Sequence, residues 1–534
     1  MMRRLKNCSF SLLLIVSTLM FFNIGYADTP KRGGDLVGGD QSLPIHFNAA
    51  IQSGVATAVP AAQVFASLLN FDADWKPLPY LAKSWEVSDG GLTYTFHMVE
   101  NATFHDGKPI TSEDVAYSFG VVKKRHAFGR AMFGAVDRVE TPDPHTAVFK
   151  LSKYHPALLM CLSPPLLPVI PKHVYSVGRI RRHPANRKPV GSGPFKFVEF
   201  KRGKHYVLER YENFFKEGQP YLDRFIVRMI NDPGARQIAL KQGKIHYMSS
   251  AGLRLQAVAR LKKEEGIKTA MTGMDAIGPT VFLAPNLRKK PFDNVLVRKA
   301  MAYAIDRDYI IQKLHHGMTY PCYGPLYHTS PFYTADVNKY DVDLEKANKL
   351  LDKAGYARKA DGTRFSATLD WIPGVPDDQQ MVAEYLKPQL NKVGIKIELR
   401  QSPGIGPWLK RVAGWNFDLT LDLPFNYPDP IIGVHRLYVS DNIKHIPWTN
   451  TQGYVNPKVD KVLAKAAVEM DLAKRKKLYV KFQKIINKDV PLIYIHDVVA
   501  FTFLHKDLMG WPTGIWGLMG PGDGIYWKEG RTPK

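Results

Sequence analysis

The chain has 534 residues, a formal net charge of +24, 45% hydrophobic residues and three cysteines. Single cores stop growing near ~250–300 residues, so one hydrophobic core is excluded and two large lobes are expected. The positive surplus is dispersed over KKRH near Lys123, RIRRH near Arg181, LRKK near Arg288 and AKRKK near Ala473. These runs share no aromatic-interleaved motif, so they read as solvated basic faces and no nucleic-acid partner is expected.

The elements follow in chain order. Arg3, Arg4 and Lys6 precede the mostly apolar stretch from Phe10 to Phe22, and Gly25-Tyr26-Ala27 places small residues before Asp28. An apolar core of about a dozen residues is short of the ~20 needed to span a bilayer, so residues 1–27 read as a cleaved signal peptide. Cys8 is lost with it. Gly33-Gly34-Asp35-Leu36-Val37 then opens the mature fold as a glycine-flanked strand.

From Leu81 to Phe119 the sequence is LAKSWEVSDGGLTYTFHMVENATFHDGKPITSEDVAYSF. Leu92, Tyr94, Phe96 and Met98 alternate with polar residues at the period of a half-buried strand. Asp89-Gly90-Gly91 and Asp106-Gly107 are turn signals. Thr111 and Asp114 predict a capping box in which Asp replaces the usual Glu or Gln. Val115, Phe119 and Val122 continue at helical spacing.

Val190 to Arg210 predicts two strands about a turn at Arg202-Gly203. Phe225, Val227 and Met229 form another, before a helix ending near Gln242-Gly243. Asp293 is placed to cap a helix with Val297, Met301, Ala304 and Ile305 on its apolar face. A second amphipathic helix runs from Asp343 and stops at Gly355. Met381 to Val393 predicts a helix with a kink at Pro388, and Ile395, Ile397 and Leu399 alternate as a strand. Helices alternating with strands imply α/β lobes.

Enzyme motifs are absent from the sequence: no HExxH, paired CxxC, GxSxG elbow or GxxxxGK[ST] loop. Gly191-Ser192-Gly193 reads as a structural bend within a strand signature. His315 and His316 would point about 100° apart on a helix and could not easily share a metal. Cys161 and Cys322 are expected to be free, buried thiols in different lobes.

The Leu81–Phe119 segment closely resembles a signature of family 5 bacterial extracellular solute-binding proteins, the group containing dipeptide-, oligopeptide- and nickel-binding receptors. VGSGPFKFVEFKRGKHYVLERYENFF and PFDNVLVRKAMAYAIDRDYII resemble its second and third signatures, and later runs match in order. The resemblance implies an α/β, two-lobed periplasmic-binding-protein fold with an extra subdomain in the first lobe. Residues 28–70, 188–275 and 495–534 would form the first lobe, 71–187 its subdomain and 276–494 the second lobe. The hinge would lie near Thr272–Gly278 and Ile495–Ala500.

Such a receptor, a monomer without cofactor or metal, closes on a solute and presents it to an inner-membrane ATP-driven permease. Peptide is the default solute. In peptide-binding relatives a carboxylate before an aspartate-proline pair anchors the α-ammonium, but here FNYPDP puts Asn426 in that place. Asp429 could substitute, or could simply cap the helix beginning near Pro430. An oligosaccharide, an opine-like anion or a metal complex therefore stays open as solute. Tyr427, Trp408, Trp371, His46 and Asn48 complete the candidate ligand contacts, with packing as the alternative for both tryptophans. A periplasmic chaperone or a hydrolase is the competing class.

Overall fold

The computed structural model describes residues 30–250, 252–271, 273–373 and 378–533; the expected signal peptide and Thr272 lie outside them. Two mixed sheets organise the chain. The first has seven strands, in the order Ile267–Ala270, Thr502–His505, Tyr247–Ser249, Asp35–Asp40, Arg224–Met229, His205–Arg210 and Phe195–Lys201. Asp35–Asp40 lies parallel to both its neighbours, and the other pairings are antiparallel. The last two strands are the expected hairpin about Arg202-Gly203.

The second sheet has six strands, ordered Tyr320–Pro321, Ile493–Asp497, Thr280–Pro285, Leu419–Asp422, Phe365–Asp370 and Ile395–Leu399. Its two faces carry separate cores. On one, Val297, Ala347, Leu351 and Leu386 pack from the helices Val295–Ala304, Leu344–Lys353 and Asp378–Lys392. On the other, Val459, Leu463, Tyr479 and Phe482 pack from Pro457–Ala466 and Leu472–Asp489. Helices on both faces of a mixed sheet make this an α/β lobe.

A four-stranded antiparallel sheet, Ala82–Ser88, Thr93–Met98, Thr146–Leu151 and Val136–Asp143, adjoins the first lobe. Tyr94, Phe96 and Met98 face inward, as their alternation predicts, beside Val115, Phe119 and Val122 of the Ser112–Arg125 helix. Its core is continuous with that of the seven-stranded sheet.

Of the caps expected at Asp343 and Asp293, one holds and one is corrected. Asp343 caps its helix by accepting from the Lys346 N–H at 2.8 Å, and Gly355 follows that helix at φ 87°. Asn294, not Asp293, caps Val295–Ala304, because its side chain accepts from the Leu296 N–H at 2.9 Å while Asp293 stands one residue outside. Cys161 and Cys322 are free and buried in different cores.

Gly191-Ser192-Gly193 is a packed bend. A Cβ at Gly191 would lie 1.9 Å from the Val64 carbonyl oxygen, and Ser192 Oγ donates to Val169 O while accepting from Ala66 N–H.

Candidate functional site

Two crossovers join the lobes, and the chain around them builds the site. The Val498 N–H donates to Pro279 O at 2.9 Å, tying one crossover to the other. Asn426 and Tyr427 join them, their N–H groups donating to Gly278 O at 3.2 Å and Ile277 O at 3.3 Å. Beside the crossovers is a cavity of about 120 Å³ whose wall includes Gly273, Met274 and Ala500.

The rest of that wall belongs to the first lobe. Asp40 ends the central strand of the seven-stranded sheet, Val59 comes from the Val55–Val64 helix, and Trp511 and Trp516 come from the carboxy-terminal tail. The Tyr247 ring packs on Gly38, where a Cβ would stand 2.3 Å from its Cζ, so glycine is required for this close approach. Its ring sits 5.3 Å from that of Trp511.

Asp40 is the only Asp, Glu, Lys, Arg or His among the described residues lining the cavity. Burial holds its carboxyl above the ordinary range, although the N–H groups of Ser42 and Gln41 and the charge of Arg236 draw it down. Oδ1 accepts both N–H groups, from Gln41 at 2.7 Å and Ser42 at 3.3 Å.

Facing side chains close the lobes on each other. Tyr427 of the second lobe packs on Phe128 of the first at 4.5 Å, within the first lobe's core. The Arg436 guanidinium lies over the same Phe128 ring at 5.0 Å. At the rim, a Cβ at Gly91 would meet the Met470 methyl at 3.4 Å.

None of the seven residues singled out from the sequence lines the cavity. Asn426 lies at the crossovers, its Oδ1 accepting from the Tyr327 N–H at 2.8 Å, and Tyr427 makes the inter-lobe contact. Asp429 caps the short helix Pro430–Gly433 through the Ile431 N–H at 3.0 Å and forms a two-pronged pair with Arg475 at 2.7 Å on each oxygen. Both of its oxygens are thus engaged, and a ligand ammonium would have to displace a buried guanidinium.

Trp408 is fully buried, its Nε1–H donating to Thr420 Oγ1 at 3.1 Å, and Trp371 is packed in the second lobe's core. Both are thus packed within the second lobe. Asn48 is also fully buried, donating to Asn186 Oδ1 at 2.9 Å and accepting from the Ala50 N–H at 3.0 Å. His46, half-buried, accepts from the Asn48 N–H through Nδ1 at 3.2 Å; burial and then Arg187 lower its pKa.

The adjacent histidines diverge: the His315 ring sits 4.4 Å from that of His496, and His316 Nε2 is 3.2 Å from Gln256 Nε2. Among the described residues no group of three or more His, Cys, Asp or Glu is placed to hold a metal ion.

The family model described as bacterial extracellular solute-binding proteins, family 5 Middle, matches residues 76–445. The chain belongs to this family. Its role is that of a substrate-binding receptor. It is 27% identical over 494 residues to the oligopeptide-binding protein AppA of Bacillus subtilis, covering 88% of this chain and 87% of that one. Among solved structures it resembles the ABC transporter substrate-binding protein CtaP of Listeria monocytogenes, at 27% identity and TM-score 0.81 over 93% of this chain and 100% of that one. It also resembles the periplasmic binding protein DppA of Helicobacter pylori bound to the peptide STSA, at 25% identity and TM-score 0.79 over 93% and 99% of the two chains. The two-lobed fold with its extra subdomain is that of these receptors. Among the described residues no helix is long and apolar enough to cross a membrane.

Sequence reasoning missed Asp40, Tyr247, Trp511 and Trp516. The signals present were the GGDQS run at the end of the first strand and the aromatic-glycine run WPTGIWG in the tail.

Proposed function

We propose that this chain is the periplasmic receptor of an ABC importer, that its solute is a peptide, and that it presents the loaded, closed form to an inner-membrane permease coupled to ATPase subunits. The observation that carries the reading is the placement of the cavity against both crossovers, with Tyr427 and Arg436 reaching across to Phe128. Closure then adds second-lobe contacts to a first-lobe surface already formed, and affinity depends on the difference between closed and open states. No bond is made or broken. The relatives named for oligopeptide and the one bound to STSA favour peptide.

The lobe boundaries proposed are 28–70, 188–275 and 495–534 for the first lobe, 71–187 for its subdomain and 276–494 for the second. Residues 1–27 would be removed on export, leaving a monomer. A non-peptide solute is the second reading, favoured by one observation: Asn426 is uncharged and Asp429 is already paired with Arg475.

Native mass spectrometry of the protein purified from its own periplasm, followed by denaturing release, tests both. A ladder of short peptides supports the first reading. A single non-peptide species overturns it in favour of the second, and turnover tracking the purified protein would overturn the receptor role itself.

A further inference from the structure

The cavity differs chemically from the rest of the molecule. In a chain of net charge +24, the cavity's one Asp, Glu, Lys, Arg or His side chain is a carboxylate. That carboxylate has aromatic neighbours: the rings of Tyr206, Tyr247, Trp511 and Trp516 share the wall with it. Its charge is near enough to both phenols to raise their pKa values, after burial as the larger cause. The buried guanidinium of Arg236 acts on Asp40 as well, while donating to Ile230 O at 2.9 Å and Asn231 O at 3.4 Å.

A partly buried carboxylate walled by π-faces is suited to an organic cation. It supplies a counter-charge, and the faces of Trp and Tyr attract ammonium or guanidinium groups. A neutral or anionic group would bring Asp40 no counter-charge beyond the Gln41 and Ser42 N–H groups and Arg236. A second observation points to a polar occupant. Trp516 is 1% exposed, and its Nε1–H has no acceptor among the described residues. Buried donors of this kind are normally satisfied; ammonium and guanidinium accept nothing, so a carbonyl of the same solute would supply the acceptor.

We propose that this cavity is a cation subsite, which seats a primary ammonium or guanidinium of the solute against Asp40 and the surrounding indole and phenol rings. The cavity holds a side chain rather than a whole peptide, so the cation is a Lys- or Arg-like side chain of a longer solute and not its amino terminus. This rests on the receptor reading above and names the chemical class its solute must contain.

The test offers a library of three- to nine-residue peptides to wild type, Asp40→Asn and Trp511→Leu, followed by native mass spectrometry of the retained fraction. Thermal melts establish that each variant is folded. Wild type is expected to enrich peptides carrying Lys or Arg about tenfold or more over neutral ones, from the strength of a charge-assisted hydrogen bond. Asp40→Asn should abolish that enrichment and Trp511→Leu should reduce it. Equal retention of cationic and neutral peptides by wild type, or undiminished enrichment by Asp40→Asn, overturns the subsite. If no peptide is retained, cadaverine and agmatine are titrated into the same proteins. Asp40-dependent amine binding then keeps the cation subsite and discards the peptide; its absence discards both.

Discussion

At the scale of single residues, buried charges decide what each carboxylate can do. Asp429 and Arg475 are each 4% exposed and satisfy each other through two hydrogen bonds. Removing one partner leaves a buried charge uncompensated, so Arg475→Ala is expected to cost about 3–5 kcal/mol in urea unfolding. A loss below about 1 kcal/mol would show that Asp429 is not held by this pair. Asp422 is the opposite case. Burial raises its carboxyl from 3.8 to about 6, against the pull of the Leu423 N–H, the Trp448 indole and Arg436. Between those values the folded chain holds a proton that the unfolded chain releases, so stability falls as pH rises. The expected loss is about 3 kcal/mol across that window, and Asp422→Asn should flatten the profile there. The sequence shows both aspartates but not which one has a partner, because Arg475 is 46 residues away from Asp429.

At the scale of elements, the Ser112–Arg125 helix shows why local signals were legible. Asp114 Oδ2 accepts from the Thr111 N–H at 3.0 Å and hydroxyl at 3.1 Å, as the Thr-x-x-Asp spacing predicts. The sequence does not reveal that Asp114 Oδ1 also accepts from the Lys172 N–H at 2.8 Å, pinning the helix to a distant segment. Thr111→Ala should therefore cost about 1 kcal/mol, the usual value of a cap. Asp114→Ala should cost roughly 3 kcal/mol, since it strands several donors at once. Equal losses in chemical denaturation would show that the tertiary bond contributes nothing. The Asp293 expectation failed for a related reason. Asp293 and Asn294 are both good caps, and only the path of the chain into Val295–Ala304 chooses between them.

At the scale of the whole molecule, the lobes meet through side chains that one variant can reach. Phe128 receives both Tyr427 and Arg436 from the opposite lobe. Removing that ring takes away an aromatic pair and a cation–π contact present only when the lobes meet. Phe128→Ala should shift the closed–open balance and weaken solute binding about tenfold. Small-angle scattering of the solute-free variant should show a larger radius of gyration than wild type, with compaction restored at saturating solute. An unchanged radius and affinity would place the energetics of closure elsewhere.

What the sequence determined by itself was whatever depends on short-range pattern. The alternation in Thr93–Met98, the amphipathic stripe of Leu344–Lys353, the glycine turns and the long signature runs all act within a few residues, and together they fixed the α/β lobes and the family. The tertiary structure decided the site. Asp40, Tyr247 and the tail segment carrying Trp511 and Trp516 lie far apart in the chain and meet because the tail's Thr502–His505 strand returns to the first sheet beside Tyr247–Ser249. Asn426, Asp429, Trp371 and Trp408 have the right chemistry for a ligand, and in the structure they are buried against partners that no local pattern names. Side-chain chemistry is written in the sequence, but whether a group faces a cavity or a neighbour depends on long-range packing that no local pattern encodes.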